Sequence, residues 1–180
     1  PIFLSTHPSL PVKSTKEFIA LAKARPGQVT FGSSGNGSAN HLAGVLFQHM
    51  TGTKLIHVPY KGAGPAGTAL LSGETDFMFS NVASAINYVK SGKLRAIAST
   101  GARRSPVAPE VPTINEAAVP GFIVTGFVIL LAPAGTPPQI IATLNSEAVK
   151  AIHSAALNER LAALGLEPVG SSSQECTAFI

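Results

Sequence analysis

Two kinds of apolar pattern alternate along the first hundred residues of the chain. Short runs of consecutive apolar residues bounded by glycine, proline or polar residues are typical of buried strands, whereas apolar residues three or four apart are typical of helices. The predicted strands cover residues 2–5, 29–31, 55–58, 76–79 and 94–99. Predicted helices lie between them. This alternation favours an α/β fold in which a parallel or largely parallel sheet carries helices on both faces.

Some details of these helices are predicted as well. Leu42, Val45 and Leu46 have helical spacing and are expected to face the core from the second helix. Pro65 is expected at the first position of the third helix, because proline has no N–H to lose there. Ser80 and Asn81 are expected to form the turn before the fourth helix.

The pattern changes after residue 100. Residues 101–120 contain several prolines and only one predicted helix, a short one at 114–117. Residues 122–131 form an apolar run, which we predict to be a buried strand because a membrane-spanning helix needs about 20 residues. Two helices follow, and we expect Thr136 to cap the first of them, with proline just inside it.

The last two predicted helices carry apolar stripes. The stripes consist of Ile140, Ile141, Leu144, Ala148, Ile152, Leu157, Leu161 and Leu164. No strand pattern lies between the two helices, so the sheet that covers them must come from elsewhere. We therefore expect the 180-residue chain on its own to self-associate or to expose a large apolar patch.

The amino-acid composition narrows the possible classes of protein. Only 12% of the 180 residues are charged, which excludes a charge-driven disordered chain. The net charge of +4 comes from a small excess of basic residues and does not favour a nucleic-acid partner. Cys176 is the one cysteine, so the chain can form neither an internal disulfide nor a cysteine-based zinc site.

The most informative segment joins the second strand to the second helix. A glycine-rich turn that enters a helix leaves backbone N–H groups unpaired, next to the positive end of the helix dipole. The pattern predicts an anion site formed by Ser33, Ser34, Gly35, Asn36, Gly37, Ser38, Asn40 and His41. In the alternative interpretation, Ser38 or Asn36 merely caps the helix, and the glycines form a tight turn.

Two further loops follow strands in the same way. They contribute the candidate ligand-binding residues Lys61, Gly62, Ala63, Ser80 and Asn81. The carboxyl ends of neighbouring parallel strands meet at one edge of a sheet, which is where open α/β sheets bind ligands. We therefore expect the three loops to form a single anion site.

Motifs for catalysis, cofactors and metals are incomplete. The glycine-rich loop lacks the third glycine of a dinucleotide fingerprint and an acidic residue about 20 positions later. Neither a phosphate-binding P-loop nor a Gly-x-Ser-x-Gly elbow is present. His41 and His49 are eight positions apart, too far for a helical metal-binding pair. We predict a binding protein with no catalytic residue, no cofactor and no metal.

Five segments together resemble one family. They are residues 29–44, 58–66, 92–98, 130–137 and 161–170. In this combination the chain resembles the solute receptors of tripartite tricarboxylate transporters, the Bug family, over essentially all 180 residues. The resemblance implies a two-lobed periplasmic binding protein of the type II fold, which closes around a small carboxylate or dicarboxylate and delivers it to a membrane permease. It also implies that backbone amides, hydroxyls and ordered water hold the ligand.

The resemblance further implies a division of the chain. Residues 1–122 would be one complete lobe, the contiguous second lobe, and residues 123–180 would be a crossover strand and helices that return to the first lobe. Two other classes stay open. One is the effector domain of a LysR-type transcriptional regulator, which needs a DNA-binding helix pair. The other is a nucleotide- or phosphate-using α/β enzyme, which needs a catalytic group.

Overall fold

The computed structural model describes all 180 residues and divides them into two compact units, Pro1–Gly126 and Phe127–Ile180. The first unit contains β1 (Ile2–Thr6), α1 (Thr15–Ala24), β2 (Thr30–Ser33), α2 (Ala39–Thr51), β3 (Ile56–Pro59), α3 (Ala63–Leu71), β4 (Phe77–Asn81), α4 (Val82–Lys90), β5 (Arg95–Ser99) and α5 (Ile114–Ala117). The second contains α6 (Pro138–Ile152), α7 (Ala155–Ala163) and α8 (Ser173–Phe179).

The five strands form one sheet in the order β3-β2-β4-β1-β5. β2 is parallel to β3 and β4, whereas β1 runs antiparallel to both of its neighbours, β4 and β5. The predicted largely parallel sheet is therefore confirmed, with β1 as its antiparallel member. As a result, the carboxyl ends of β2, β3, β4 and β5 share one edge.

Side-chain alternation along β4 shows how the two faces of the sheet are covered. Phe77 and Phe79 pack with Phe18 of α1 and Phe47 of α2 in the main core. Met78, which points the other way, packs with residues of α3. Helices on both faces, as predicted, are thus confirmed.

The predicted buried face of α2 is wrong at two of its three residues. Leu42 is 56% exposed and Val45 is 44% exposed, while Leu46 packs partly buried against the core. The residues that α2 buries include Ala43 and Gly44, because small residues let the helix lie close to the sheet. Helical spacing alone does not distinguish a small buried residue from a small exposed one.

The predicted strand at residues 122–131 is also wrong, because this segment has no regular secondary structure. Val124 is attached to the end of β5: its N–H donates to the Thr100 carbonyl over 2.9 Å, and the Thr100 hydroxyl donates to its carbonyl over 2.5 Å. Beyond it no strand pairs with the chain, and Val128 is 90% exposed. A strand requires a hydrogen-bonded neighbour, which this apolar run does not have.

Three local predictions need smaller corrections. α3 begins at Ala63, so Pro65 is its third residue rather than its first. Ser80 and Asn81 are the last residues of β4, and α4 follows without a turn. Pro137 occupies the cap position of α6, while the Thr136 hydroxyl donates to the Pro133 carbonyl over 2.8 Å. Proline just inside α6, at its first position, is as predicted.

The second unit has little interior of its own. None of the residues of α6, α7 and α8 is buried. None of the helices in the chain combines the length and the hydropathy that crossing a membrane requires. The units divide after Gly126, whereas the sequence prediction placed the division after residue 122. That these units correspond to parts of two receptor lobes stays a prediction.

Candidate anion-binding site

The structure brings the first two predicted loops into contact at the carboxyl edge of the sheet. The Gly62 N–H donates to the Ser34 carbonyl over 3.2 Å. The first loop is also tied to β4, because the Asn40 side-chain amide donates to the Phe79 carbonyl. These bonds give the first loop a fixed position beside the second loop and the end of β4.

The backbone of the first loop depends on glycine. Gly35 has a φ of +129° and Gly37 a φ of +78°, values that favour glycine over residues with a side chain. Ser38 caps α2, since its hydroxyl accepts from the His41 N–H over 3.4 Å and donates to the Gly35 carbonyl over 2.7 Å. Ser38 therefore caps α2, as the alternative interpretation expected. This cap does not exclude that the loop also binds a ligand.

Several loop amides have no hydrogen-bond partner. They are the N–H groups of Asn36, Ala39 and Asn40, the last two in the first turn of α2. Asn36 and Ala39 are exposed. Unpaired N–H groups at a helix N-terminus, where the helix dipole is positive, attract anions. The loop therefore has unused hydrogen-bond donors at the positive end of the α2 dipole.

Asn40 has a structural role that the sequence did not reveal. Its side chain is only 5% exposed, and its oxygen accepts from the Ser34 hydroxyl over 2.8 Å. Because its amide nitrogen is already bonded to Phe79, both ends of the side chain are occupied. Asn40 thus fixes the loop, and only its backbone amide is free for a ligand.

Two stacked histidines lie against the loop and are hydrogen-bonded to it. The rings of His41 and His57 are stacked with centroids 4.0 Å apart. His41 Nδ1 accepts from the Gly37 N–H over 3.1 Å, and His57 Nε2 lies 2.6 Å from the Ser33 hydroxyl. That hydroxyl accepts from the Gly35 N–H over 3.1 Å. Each histidine is therefore linked to one glycine amide of the loop, and His57 is a site residue that the sequence analysis missed.

The surroundings of His57 disfavour its charged form. Burial lowers the pKa of His57, and the nearby His41 lowers it further. The pair of Ser33 and His57 does not form a catalytic dyad that a substrate could reach, since Ser33 is fully buried. No carboxylate is hydrogen-bonded to His57. No group of three or more histidine, cysteine, aspartate or glutamate residues is placed to hold a metal ion.

The second loop presents a cation and is anchored by a tyrosine. Lys61 is exposed and makes no ion pair. The half-buried Tyr60 donates to Glu74 Oε1 over 2.8 Å. Burial, followed by this hydrogen bond and the charge of Glu74, raises the pKa of Tyr60 to about 12. Tyr60 was not predicted from the sequence, although its place directly before Lys61 is a signal that could have identified it.

The predicted residues of the third loop point in different directions. Asn81 is exposed at the edge of the sheet, before the first turn of α4. Ser80 is 6% exposed, and its side chain faces α3 and α4 rather than the first loop. Ala63 is exposed at the start of α3. The structure therefore brings together the first and second loops, with Asn81 beside them, and separates the Ser80 side chain from the anion loop.

An α/β sheet of this kind, with its loops at the carboxyl edge, is found in periplasmic binding proteins. The chain belongs to the tripartite tricarboxylate transporter family receptors, whose family pattern matches residues 1–180. It is 39% identical over 180 residues to Protein BugT of Bordetella pertussis, covering 100% of this chain and 55% of BugT. The chain thus spans about half the length of that relative.

Solved structures of receptors also match the chain. Rpa4515 of R. palustris, solved with adipate, is 35% identical with a TM-score of 0.95, over 99% of this chain and 60% of that protein. MatC of Rhodopseudomonas palustris, solved with bound malate, is 32% identical with a TM-score of 0.87, over 92% and 56% of the two chains. The resemblance to the Bug family and the α/β receptor fold are confirmed. Membership of a receptor family also agrees with a binding protein rather than an enzyme or a regulator.

Proposed function

We propose that this chain forms part of an extracytoplasmic receptor that captures a small carboxylate or dicarboxylate. The observation that carries the proposal is the cluster of unpaired amides at the start of α2, held by two glycines with positive φ. Hydrogen bonds from such donors to a carboxylate are charge-assisted and contribute about 1.5–3 kcal/mol each. Lys61, exposed and without an ion pair, adds a positive charge at the same edge.

Two solved relatives support the ligand class, because one was solved with adipate and the other with malate. Membership of the family supports the partner: the receptor would deliver its solute to the membrane permease of a tripartite transporter, from the periplasm. Deletion of the gene should abolish uptake of the solute, and the wild-type gene should restore it. Normal uptake without the gene would exclude this transport role.

Calorimetric titration with adipate and malate tests the role of the loop. Gly37→Val places a β-branched residue where φ is +78°, so it should distort the loop and weaken binding at least tenfold. Ser38→Ala removes a cap but no binding amide, and should have the smaller effect. Gly52→Val is the matched control, because Gly52 has a φ of +65° and open space around it at the other end of α2.

The control separates strain from binding. If Gly37→Val and Gly52→Val weaken binding equally, the loss reflects general destabilisation. If Gly37→Val and Ser38→Ala both have negligible effects, the loop only caps α2, and the proposed carboxylate site is wrong.

A further inference from the structure

The turn of the first loop around Asn36 and Gly37 has little packing to hold it. Both residues are exposed, and a Cβ at Gly37 would meet no atom within 4 Å. The peptide unit that joins them makes a single hydrogen bond, from the Gly37 N–H to Nδ1 of His41 over 3.1 Å. Because glycine at a φ of +78° can adopt many other conformations, this bond is what fixes the turn.

A stack of rings holds His41 in place for this bond. The His41 ring lies on that of His57 with centroids 4.0 Å apart, and His57 lies on Phe31 with centroids 4.9 Å apart. Phe31 is fully buried, so the stack extends from the main core to the first turn of α2. His57 is fixed in turn by the Ser33 hydroxyl, 2.6 Å from its Nε2. The position of the His41 ring is therefore set by the core of the protein.

The bond to Gly37 exists only while His41 is neutral. A neutral imidazole has one nitrogen that carries a proton and one that accepts, whereas both nitrogens of the charged ring are donors. Since Nδ1 accepts from Gly37, the neutral ring carries its proton on Nε2. Protonation of His41 places an N–H at Nδ1, opposite the Gly37 N–H, and two donors do not bond to each other. The turn then loses its one hydrogen bond.

The charged groups around the two histidines do not compensate for this loss. β2 and the first loop contain no charged residue. The titratable and charged side chains of the other elements around the pair are His49 of α2, Lys54, Tyr60 and Lys61 beside β3, and Glu74 and Asp76 before β4. Both carboxylates are bonded elsewhere, to Tyr60 and Thr30. No carboxylate is hydrogen-bonded to either histidine ring, so the stack has no partner for a positive charge.

We propose that His41 is a positioning residue of the anion site: its neutral ring holds the turn in the conformation that presents the loop amides to a carboxylate, and protonation of the ring weakens carboxylate binding. The proposal rests on the proposed carboxylate receptor and adds a regulation to that site. Histidine changes its charge between about pH 5 and 8. Loss of one hydrogen bond corresponds to a change of about two- to tenfold in an equilibrium constant. The affinity for malate should therefore fall by about this factor between about pH 7.5 and 5.5.

Calorimetric titration of the wild type and three variants with malate, at about pH 7.5 and 5.5, tests the proposal. His41→Asn keeps an acceptor in the place of Nδ1 but cannot be protonated, so its affinity should change less with pH. His41→Phe keeps a ring on His57 but removes the acceptor, so it should bind malate more weakly than His41→Asn at the higher pH. His49→Asn is the matched control, because it replaces an exposed histidine of the same helix, and should keep the pH dependence of the wild type.

Three results would overturn the proposal. An affinity that rises on acidification would mean that the charged ring of His41 attracts the solute. A wild-type pH dependence in His41→Asn would assign the effect to another group, including the carboxylates of malate itself. Equal affinities of His41→Asn and His41→Phe at the higher pH would mean that the bond to Gly37 does not position the loop.

A measurement without ligand separates this proposal from the proposed function. The chain is labelled with ¹⁵N in glycine and histidine, and the scalar coupling across the hydrogen bond between the Gly37 amide nitrogen and Nδ1 of His41 is recorded over the same pH range. The coupling should be present at the higher pH and disappear as the His41 ring takes up its proton. If the coupling behaves in this way but neither malate nor adipate binds at any pH, the receptor proposal fails, whereas His41 still positions the loop. A coupling that is absent at the higher pH, or that persists on the protonated ring, overturns the role of His41.

Discussion

Gly44 illustrates, at the scale of single residues, how a missing side chain determines packing. A Cβ at this position would lie within 3.0 Å of three ring carbons of Phe31. Gly44→Ala should therefore lower the free energy of unfolding by about 1–3 kcal/mol through overpacking. Gly67→Ala is the control: its Cβ meets nothing within 4 Å, so it should raise stability by about 0.5–1 kcal/mol. Urea unfolding measures the stability of both variants. Equal changes in the two would show that helix propensity, and not packing against Phe31, determines the effect of the substitution.

His57 gives a prediction about pH. Its pKa is lowered below the usual 6.5, so at mildly acidic pH the unfolded chain binds the proton more readily than the folded protein. The stability that neutral His57 contributes is present above about pH 6.5 and is lost as the pH falls through the lowered pKa. His57→Phe retains the stacking but cannot titrate, so its unfolding free energy should fall less steeply over this range.

Thermal melts between pH 5 and 7.5 measure this slope. His49→Phe, at an exposed position of the same α2 helix that carries His41, should keep the slope of the wild type. A slope unchanged in His57→Phe would mean that His57 does not carry the acid sensitivity.

The candidate site was only partly predictable from the sequence at this scale. The glycines and serines of the first loop could be identified because turn conformation and helix capping depend on neighbouring residues. The link between Ser33 and His57 joins residues 24 positions apart, and neither has a local signal for it. Burial of Asn40 and the direction of Ser80 likewise depend on the packing of other elements around them.

At the scale of elements, the sequence predicted which helices and strands form better than which faces they bury. Five of the six predicted strands and the short α5 are present, because their apolar runs and turn residues are local. The buried face of α2 was predicted wrongly because it contains the small residues Ala43 and Gly44 beside Phe47, rather than Leu42 and Val45. The strand at 122–131 was wrong because strand formation depends on a partner, which apolar content does not provide.

The α2 face can be tested with two substitutions. Phe47 is fully buried and in contact with other aromatic rings, so Phe47→Ala should cost about 3–5 kcal/mol. Leu42 is 56% exposed, so Leu42→Ala should change stability by no more than about 0.5 kcal/mol. Denaturant unfolding measures the stability of both variants. A large loss of stability in Leu42→Ala would mean that α2 buries the face that helical spacing predicts.

At the scale of the whole molecule, the two units differ in how much apolar surface they bury. Every buried core residue lies in Pro1–Gly126. In the second unit, large apolar residues such as Leu130, Leu144 and Val169 are exposed by 80%, 57% and 79%. Exposed apolar surface of this extent is typical of surfaces that contact another protein or another part of the same one.

The two units should therefore behave differently in solution. Residues 1–126 should fold alone as a monomer, because the sheet and its helices close their own core and the segment ends after the bonds between Val124 and Thr100. The 180-residue chain should self-associate or bind a hydrophobic dye. Light scattering and dye fluorescence on both chains measure this. A monomeric 180-residue chain that binds no dye would mean that the apolar residues of the second unit cover one another, and an unfolded 1–126 chain would mean that the first unit depends on the second.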